Sequence, residues 1–136
     1  MVERHVAECV FCGISTGLVY EDALVVAFLD HRPLFPGHVL VTPRAHVETL
    51  ADLPVDDIAP FFRVVQRVSV AVERAMAAGG TFVAMNNRVS QSVPHLHCHV
   101  VPRTKGDGLR GFFWPRQRYA SDAEAARVAS AIAREL

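Results

Sequence analysis

Residues 94–102 read Pro-His-Leu-His-Cys-His-Val-Val-Pro, and this short stretch decides how the chain is interpreted. Its three histidines, His95, His97 and His99, occupy every second position and are separated by apolar residues. In an extended strand, alternate side chains share one face and the rise is about 3.3 Å per residue, so the imidazoles would stand in a row about 7 Å apart. The pattern therefore predicts a β-strand with histidines on one face and apolar side chains entering a core on the other.

Three imidazoles in a row can bind a metal ion, or they can act as nucleophiles and proton shuttles near neutral pH. An exposed row without a role is disfavoured, because the flanking residues have the character of a buried strand. A purely structural metal strip is a further alternative, in which two neighbouring histidines reach one zinc ion and the third is left over. The pattern alone leaves metal binding and catalysis open.

The composition indicates one globular domain, spanning residues 1–136. Of the 136 residues, 51% are hydrophobic, which is enough for a real core. Fourteen Lys and Arg balance fourteen Asp and Glu, so the charge gives no support to nucleic-acid or membrane-surface binding. The N-terminus lacks a secretory pattern, and no apolar run approaches the roughly 18 residues that span a bilayer. Three cysteines, two of them in a Cys-x-x-Cys pair, indicate cytoplasmic thiol or metal chemistry rather than disulfides.

Periodicity and turn signals predict an α+β domain with an antiparallel sheet of about five strands. The strands are expected at 18–21, 24–29, 36–43, 81–85 and 94–102. A long central helix is expected from Val55 to Ala78, ended by the pair Gly79-Gly80, with an apolar stripe of Ile58, Phe61, Phe62, Val65, Val68, Val72, Ala75 and Met76. A C-terminal helix is expected after Ser121, which has capping-box spacing to Glu124, with one apolar side of Ala125, Val128, Ala129, Ile132 and Leu136.

Cys9 and Cys12 are half of a zinc site or, alternatively, a redox pair. Zinc prefers four ligands in tetrahedral geometry, so two histidines from elsewhere would complete the set. His46 follows the third strand and His95 begins the histidine strand, so both can lie at one end of the sheet. Four protein ligands leave no open position, and we therefore expect a structural zinc ion, one per chain.

With one histidine assigned to zinc, His97 and His99 remain for chemistry. A neutral imidazole can attack phosphorus through one ring nitrogen while the other nitrogen holds a hydrogen bond. The preceding loop contains Asn86, Gln91 and Ser92, whose side chains can bind a phosphate or a ribose, although an ordinary solvated loop has the same composition. The arrangement suits transfer of a nucleotidyl group onto the protein and then onto water.

Two further sets of residues have both a structural and a functional interpretation. Asp30 ends the second strand, where an Asp is most often a turn or cap residue but can also accept hydrogen bonds from ribose hydroxyls. Phe11 and Ile14 lie on a short helical or turn segment, where apolar residues more often fill a core than bind a ligand.

The stretch His95-Leu-His97-Cys-His99-Val-Val101 resembles the signature of the histidine triad (HIT) family, His-φ-His-φ-His-φ-φ with φ apolar. Further blocks look like family blocks in family order: Cys9-x-x-Cys12, Phe28-Leu-Asp30, Pro36-Gly-His38-x-Leu-Val-x-Pro-x-x-His46 and Gln91-Ser92-Val93. The resemblance covers roughly the core at 9–103, whereas the tail and helix at 104–136 match less specifically.

The resemblance implies a HIT-like fold, an antiparallel sheet flanked by helices, in a homodimer whose sheets join. His97 would be the nucleophile that attacks the α-phosphate of a nucleotide, and water would hydrolyse the nucleotidyl-histidine intermediate to a nucleoside monophosphate. His99 would contact phosphate, and His38 would help to orient the triad. The structural zinc of bacterial-type members would be bound here by Cys9, Cys12, His46 and His95.

The resemblance also implies nucleotide contacts. Asp30 would hold the ribose hydroxyls. Phe11 and Ile14 would line the base pocket, in place of the core packing expected from the residues alone. The positions near ribose and phosphate would be Asn86, Gln91 and Ser92.

Departures from the family pattern concern the leaving group. The phosphoramidase branch usually has a glycine in the loop before the Gln-Ser pair, whereas residues 86–91 are shorter and contain none. His31 occupies an often apolar position, and the Pro102-Arg103 exit and the tail 106–118 look more like the dinucleoside polyphosphate hydrolase branch or bacterial relatives. We expect the irregular stretch 103–116 to pack along an edge rather than cover the site. Hydrolysis of purine nucleoside phosphoramidates is the first hypothesis and of dinucleoside polyphosphates the second. A nucleotide-binding module with little turnover and a zinc-only structural module are the alternatives from other classes.

Overall fold

The computed structural model describes residues 9–110 and 115–136 of the chain. Its strands are β1 (Leu18–Glu21), β2 (Val25–Leu29), β3 (Val39–Pro43), β4 (Gly80–Ala84) and β5 (Cys98–Arg103). Its helices are α1 (Val55–Ala75) and α2 (Asp122–Arg134), with a short 3₁₀ helix at Leu50–Asp52. One five-stranded sheet with two main helices confirms the predicted α+β class.

The strands form one antiparallel sheet in the order β1-β2-β3-β5-β4. β5 therefore lies inside the sheet, although it is the last strand in the chain. Its register pairs His99 with Leu40 of β3 on one side and with Ala84 of β4 on the other. The last histidine of the triad is thus fixed by neighbouring strands on both sides, while β1 and β4 are the outermost strands among the described residues.

Helix α1 packs on one face of the sheet and encloses the main core. The side chains that face the sheet are Phe61, Val64, Val65, Val68 and Val72, each at most 6% exposed. The predicted stripe missed Val64 and wrongly included Ile58, Phe62 and Met76, which are at least 37% exposed, as well as the exposed Ala75. Phe62 lies about 100° around the helix from the core-facing Phe61, and the other three lie near the two ends of the helix.

Helix α1 ends three residues earlier than predicted. Its last residue is Ala75, and Ala77 adopts a left-handed conformation with φ of 50°. The predicted terminating pair belongs to the turn into the sheet, because Gly79 N–H donates to the carbonyl oxygen of Arg103 at 2.9 Å and Gly80 is the first residue of β4. The helix therefore ends at residues that have no obvious terminating signal.

The histidine stretch is only partly a strand. β5 begins at Cys98, so the first two histidines precede the regular ladder. The predicted alternation persists nevertheless, since Leu96, Cys98 and Val100 are all buried in the main core. The ring centroids of His97 and His99 are 5.0 Å apart, which is closer than a regular strand predicts, because the chain at His97 has already left the ladder.

Helix α2 contains no buried residue. Its start agrees with the predicted cap, because Ser121 Oγ accepts a hydrogen bond from Glu124 N–H at 3.1 Å. Its predicted apolar side is exposed or half-buried, and Ile132 is 60% exposed. The predicted edge packing of the tail includes residues 111–114, which lie outside the described residues. Across the described ranges, neither helix combines the length and apolar character needed to cross a bilayer.

Candidate active site

The imidazole of His97 is held in one orientation by the main chain. The side chain is 2% exposed, and its Nδ1 lies 2.7 Å from the carbonyl oxygen of His95. A carbonyl oxygen only accepts hydrogen bonds, so Nδ1 donates its proton there and Nε2 of the neutral ring retains a lone pair. The turn just before β5 therefore presents an imidazole whose Nε2 is available as a nucleophile.

His38 and His99 form a second imidazole pair, and the main chain also sets its protons. Leu34 N–H donates to His38 Nδ1 at 3.1 Å, so the proton of a neutral His38 lies on Nε2. His38 Nε2 lies 3.0 Å from His99 Nδ1 and donates to it. The proton of His99 is therefore on Nε2, which makes this atom a hydrogen-bond donor suited to a phosphate oxygen.

Burial keeps both of these rings neutral. Desolvation lowers the pKa of His38 and lowers the pKa of His99 to about 4. The carboxylate of Asp30, whose Oδ2 lies 3.7 Å from His38 Nε2, opposes both shifts without reversing them. Near pH 7 the chain of hydrogen bonds from Leu34 N–H through His38 to His99 thus consists of neutral groups, and the donor of each bond is defined.

A cavity of about 400 Å³ opens beside these histidines, a size typical of small-ligand sites. Its apolar lining includes Val10, Phe11, Ile14, Phe28, Leu40 and Val93. Its polar lining includes Asp30, Ser92, His97 and His99. An apolar surface for a flat ring and a polar surface for an anion are the two parts that a nucleotide requires.

The ring of Phe11 connects the cavity wall to His97. Its centroid lies 5.0 Å from the His97 ring at an interplanar angle of 75°, and 5.3 Å from the ring of Phe28. Together with Ile14 it packs against a small cluster of Val26, Phe28 and Leu40. These strand residues alternate with those of the main core, so the cluster lies on the sheet face opposite α1.

Four potential metal ligands meet at the other end of the histidine stretch: Cys9, Cys12, His46 and His95. His95 Nδ1 lies 3.3 Å from Cys9 Sγ, 3.6 Å from Cys12 Sγ and 3.2 Å from His46 Nδ1, and Cys12 Sγ lies 3.3 Å from His46 Nδ1. Ligands on a tetrahedral zinc ion are separated by roughly 3.3–3.8 Å, so this donor set fits zinc. The Nε2 of His95 faces the carbonyl oxygen of Pro43 at 2.8 Å, which leaves Nδ1 free of a proton for a metal.

Residues 13–106 match the sequence profile of the HIT domain. The chain belongs to the HIT family. The HIT protein resembles a solved HIT family structure from Bacillus subtilis with a TM-score of 0.85 and 31% identity, over 95% of this chain and 97% of that one. It also resembles a zinc-bound histidine triad family protein from Mycobacterium smegmatis, with a TM-score of 0.70 and 33% identity, over 92% and 98% of the two chains.

Two relatives have named activities. The asymmetrical bis(5′-nucleosyl)-tetraphosphatase of Schizosaccharomyces pombe is 33% identical over 69% of this chain and 53% of its own length. The adenylylsulfatase HINT3 of Arabidopsis thaliana is 31% identical over 95% of this chain and 70% of its own length. The profile match and the solved structures confirm the family resemblance and the HIT fold.

The structure brings most of the predicted site residues together. The cavity is lined by Phe11, Ile14, Asp30, Ser92, His97 and His99. His38 is 3% exposed and lies behind the cavity wall, where it contacts the ring of the lining residue His99. Among the described residues, the lining of this cavity does not include Asn86 or Gln91, so their contact with a nucleotide stays a prediction.

Gln91 has a different role in this conformation. Its Oε1 accepts a hydrogen bond from Arg88 N–H at 2.9 Å, and its Nε2 donates to the carbonyl oxygen of Glu48 at 2.7 Å. Arg88 and Ser90 both adopt left-handed conformations, with φ of 70° and 61°. A loop without glycine thus takes two conformations that favour glycine, and the Gln91 side chain ties it to the segment after β3.

Sequence reasoning did not assign several residues that line the cavity: Val10, Thr16, Phe28, Leu29, His31, Arg32, Leu40 and Val93. Phe28 and Leu40 belong to strands whose residues are apolar on both faces, so the sequence does not indicate which face contributes to a cavity. Phe28 precedes the predicted site residue Asp30 by two positions and Leu40 follows the predicted site residue His38 by two, so alternation from those two residues was the signal that could have found them.

Proposed function

We propose that this HIT protein hydrolyses purine nucleoside phosphoramidates at the α-phosphate, through a nucleotidyl intermediate on His97, and releases a nucleoside monophosphate. The main support is the 2.7 Å hydrogen bond from His97 Nδ1–H to the His95 carbonyl oxygen, which leaves Nε2 unprotonated in a ring that lines the cavity. The purine would stack in the apolar part against Phe11 and Ile14, and Asp30 would accept hydrogen bonds from ribose hydroxyls.

In the first step, His97 Nε2 forms a bond to the α-phosphorus while the P–N bond to the leaving amine breaks. The electron pair of that bond goes to the amine nitrogen, which takes a proton from solvent. His99 Nε2–H and the hydroxyl of Ser92 would donate to the phosphate oxygens, where negative charge accumulates. In the second step, water attacks phosphorus, the bond to Nε2 breaks, a proton is released and His97 returns to its neutral form.

Dinucleoside polyphosphates are the second candidate substrates. The cavity lining also includes Arg32 and His31, which would suit an anionic leaving group better than a neutral amine. The relatives described above as a tetraphosphatase and an adenylylsulfatase both have names that imply anionic leaving groups. The same attack by His97 would serve either substrate, because only the group that departs from the α-phosphate differs.

The substitution His97→Ala tests the proposal. Wild-type protein should release AMP from an adenosine phosphoramidate, and the variant should lose this turnover while it keeps its fold and its zinc content. Full turnover in the variant would contradict the mechanism. Rates on diadenosine tetraphosphate, measured in parallel, decide between the two substrates. Tight binding of AMP by the wild-type protein without turnover of either substrate would instead identify a nucleotide-binding module.

We also propose one structural zinc ion per chain, bound by Cys9, Cys12, His46 and His95. The support is the spacing of the four donor atoms and the hydrogen bond that orients His95. A closed set of four protein ligands leaves no position for substrate, so the role of this ion would be to hold the chain. Metal analysis of the purified protein tests this proposal, since about one zinc per chain is expected.

The protein is further proposed to be a homodimer, with purine nucleotides as ligands and neither nucleic acid nor membrane as a partner. β4 is the outermost strand on its side of the described sheet, and its Val83 is 44% exposed, so this strand is the candidate for contact with a second copy. Ile58 of α1 is also 40% exposed. Light scattering should give twice the mass of the chain, and Val83→Lys should shift it toward the mass of one chain.

A further inference from the structure

We propose that zinc occupancy of the cluster formed by Cys9, Cys12, His46 and His95 sets the affinity of this protein for the base of its nucleotide. The inference rests on the proposed function and extends it. The ion would hold the Cys-x-x-Cys turn in place, and that turn contains part of the cavity wall. Zinc would then determine substrate binding as well as stability.

The two residues between the cysteines both line the cavity. Val10 is 62% exposed at the rim, and Phe11 packs its ring against Phe28 and His97. A hydrogen bond from Cys12 N–H to the Cys9 carbonyl oxygen, 3.2 Å long, closes the turn that contains both wall residues. A shift of this turn would therefore move both wall residues together.

The four ligands differ in how firmly the fold holds them without a metal ion. His95 is 0% exposed, and its Nε2 is bound to the carbonyl oxygen of Pro43 at 2.8 Å. Cys9 and Cys12 are only partly buried, and their sulfur atoms meet the histidine Nδ1 atoms at 3.3 Å, the separation expected of ligands that share an ion. Loss of the ion is therefore expected to release the cysteine turn and to leave the histidine end of the cavity in place.

Base recognition and phosphate recognition should consequently respond differently to the metal. AMP uses both parts of the cavity in the proposed binding mode, whereas ribose 5-phosphate has no base. Loss of one base–aromatic stacking contact corresponds to about a 10-fold to 100-fold loss of affinity. We expect this loss for AMP when zinc is removed and no comparable change for ribose 5-phosphate. Because binding linkage is reciprocal, AMP should also raise the affinity of the protein for zinc in an equilibrium competition with a chelator, and ribose 5-phosphate should not.

The test uses the full chain in its zinc-loaded and chelator-treated forms. Isothermal titration gives the affinity of each form for AMP and for ribose 5-phosphate, and circular dichroism reports whether the metal-free chain is folded. The same measurements on Phe11→Ala remove the wall residue but none of the metal ligands. This variant should bind one zinc, bind AMP about 10-fold to 100-fold more weakly, and respond little to metal removal. Phe62→Ala, a phenylalanine on the outer side of α1, is the matched control and should respond like the wild type.

A selective loss of AMP affinity in the metal-free protein, absent in Phe11→Ala, would support the proposal. Equal AMP affinity with and without zinc would overturn it. An equal loss of affinity for AMP and for ribose 5-phosphate would also overturn it, because zinc would then act on the whole fold. Unfolding of the metal-free chain would cause such an equal loss and would count against the proposal in the same way. Zinc-loaded protein that binds no AMP would instead refute the proposed function.

Discussion

The histidine stretch has a proposed metal end at His95 and a proposed catalytic end at His97 and His99, and the imidazole rings of His95 and His97 differ in tautomer. At one end, His95 donates from Nε2 to the Pro43 carbonyl oxygen and presents a bare Nδ1 to the cysteines. At the other end, His97 donates from Nδ1 to the His95 carbonyl oxygen and retains a lone pair on Nε2. The main-chain partner of one ring nitrogen thus decides the use of the other, a proposed metal ligand in the first case and a proposed nucleophile in the second.

The comparison extends to a second group of possible metal ligands. Asp30, His38 and His99 place three ligand atoms within 4.8 Å of one another, a limit that the four atoms of the zinc cluster also meet. Leu34 N–H donates to His38 Nδ1, however, so Nε2 holds a proton and has no lone pair for a metal. Proximity of donor atoms is therefore insufficient for metal binding, and the tautomer distinguishes the proposed metal site from the proposed catalytic pair.

The largest expected effect concerns the metal end. Cys9→Ala and Cys12→Ala should each lose zinc, and the free energy of unfolding should fall by about 3–5 kcal/mol, because structural zinc contributes directly to folding. His38→Phe should keep one zinc per chain, since the second group is not expected to bind metal. Metal analysis and thermal unfolding measure both results. Two zinc ions in wild-type protein, or a cysteine variant with unchanged zinc and stability, would contradict the distinction between the two ends.

At the catalytic end, His99→Phe should reduce turnover by about 10²-fold to 10³-fold while zinc content stays at one. The substitution keeps a ring in place but removes the Nε2–H donor proposed to stabilise phosphate charge, and loss of one such donor typically has this effect. Steady-state kinetics on an adenosine phosphoramidate measure it. An unchanged kcat would show that His99 does not contact the phosphate in the transition state.

The depressed pKa of His99 predicts a pH dependence of stability. An unfolded histidine titrates near 6.5 and His99 in the fold near 4, so the unfolded chain binds more protons between these values. The stabilising contribution is therefore complete above about pH 6.5 and is lost as the pH falls toward 4, by about 1–3 kcal/mol. Urea unfolding from pH 7.5 to 4.5 measures this slope. His99→Phe should have a shallower slope, and comparison of the two proteins cancels any zinc loss in acid that they share.

The smallest expected effect is that of His38→Phe, about 10-fold in turnover. His38 reaches the cavity only through His99. Its loss should therefore let His99 adopt either tautomer, but it should not remove the His99 side chain that donates to phosphate. Kinetics of the single variants and of the double variant measure the coupling. The double variant should be no slower than His99→Phe alone, and losses that multiply would indicate that His38 acts independently.

The sequence was sufficient for the residues that motifs and alternation define. The spacing of the histidines placed Leu96, Cys98 and Val100 in the core, and ligand counting brought Cys9 and Cys12 to His46 and His95. The predicted end of α1 and the predicted burial of Phe62 were wrong, because both depend on packing against the sheet rather than on local sequence preference.

The tautomers could not be predicted from the sequence. They depend on the amide of Leu34 and the carbonyl groups of Pro43 and His95, which every residue possesses. The hydrogen bonds of Gln91 with Arg88 and Glu48 could not be predicted either. They depend on two left-handed residues in the loop, and neither of these is a glycine that would have indicated the conformation. Side-chain identity thus predicted which residues lie together in the site, whereas main-chain geometry decides which nitrogen of each imidazole ring is protonated.

The most direct test is to trap the covalent intermediate. Zinc-loaded protein is mixed with excess adenosine phosphoramidate, quenched in alkali because phosphorus–nitrogen bonds to histidine are labile in acid, and digested for mass spectrometry. We expect one adenylyl group on the peptide that contains His97, with fragmentation assigning it to that ring. An adenylyl group on His99 or another residue, or AMP formed in a burst with no modified peptide, would contradict the assignment of His97 as the nucleophile.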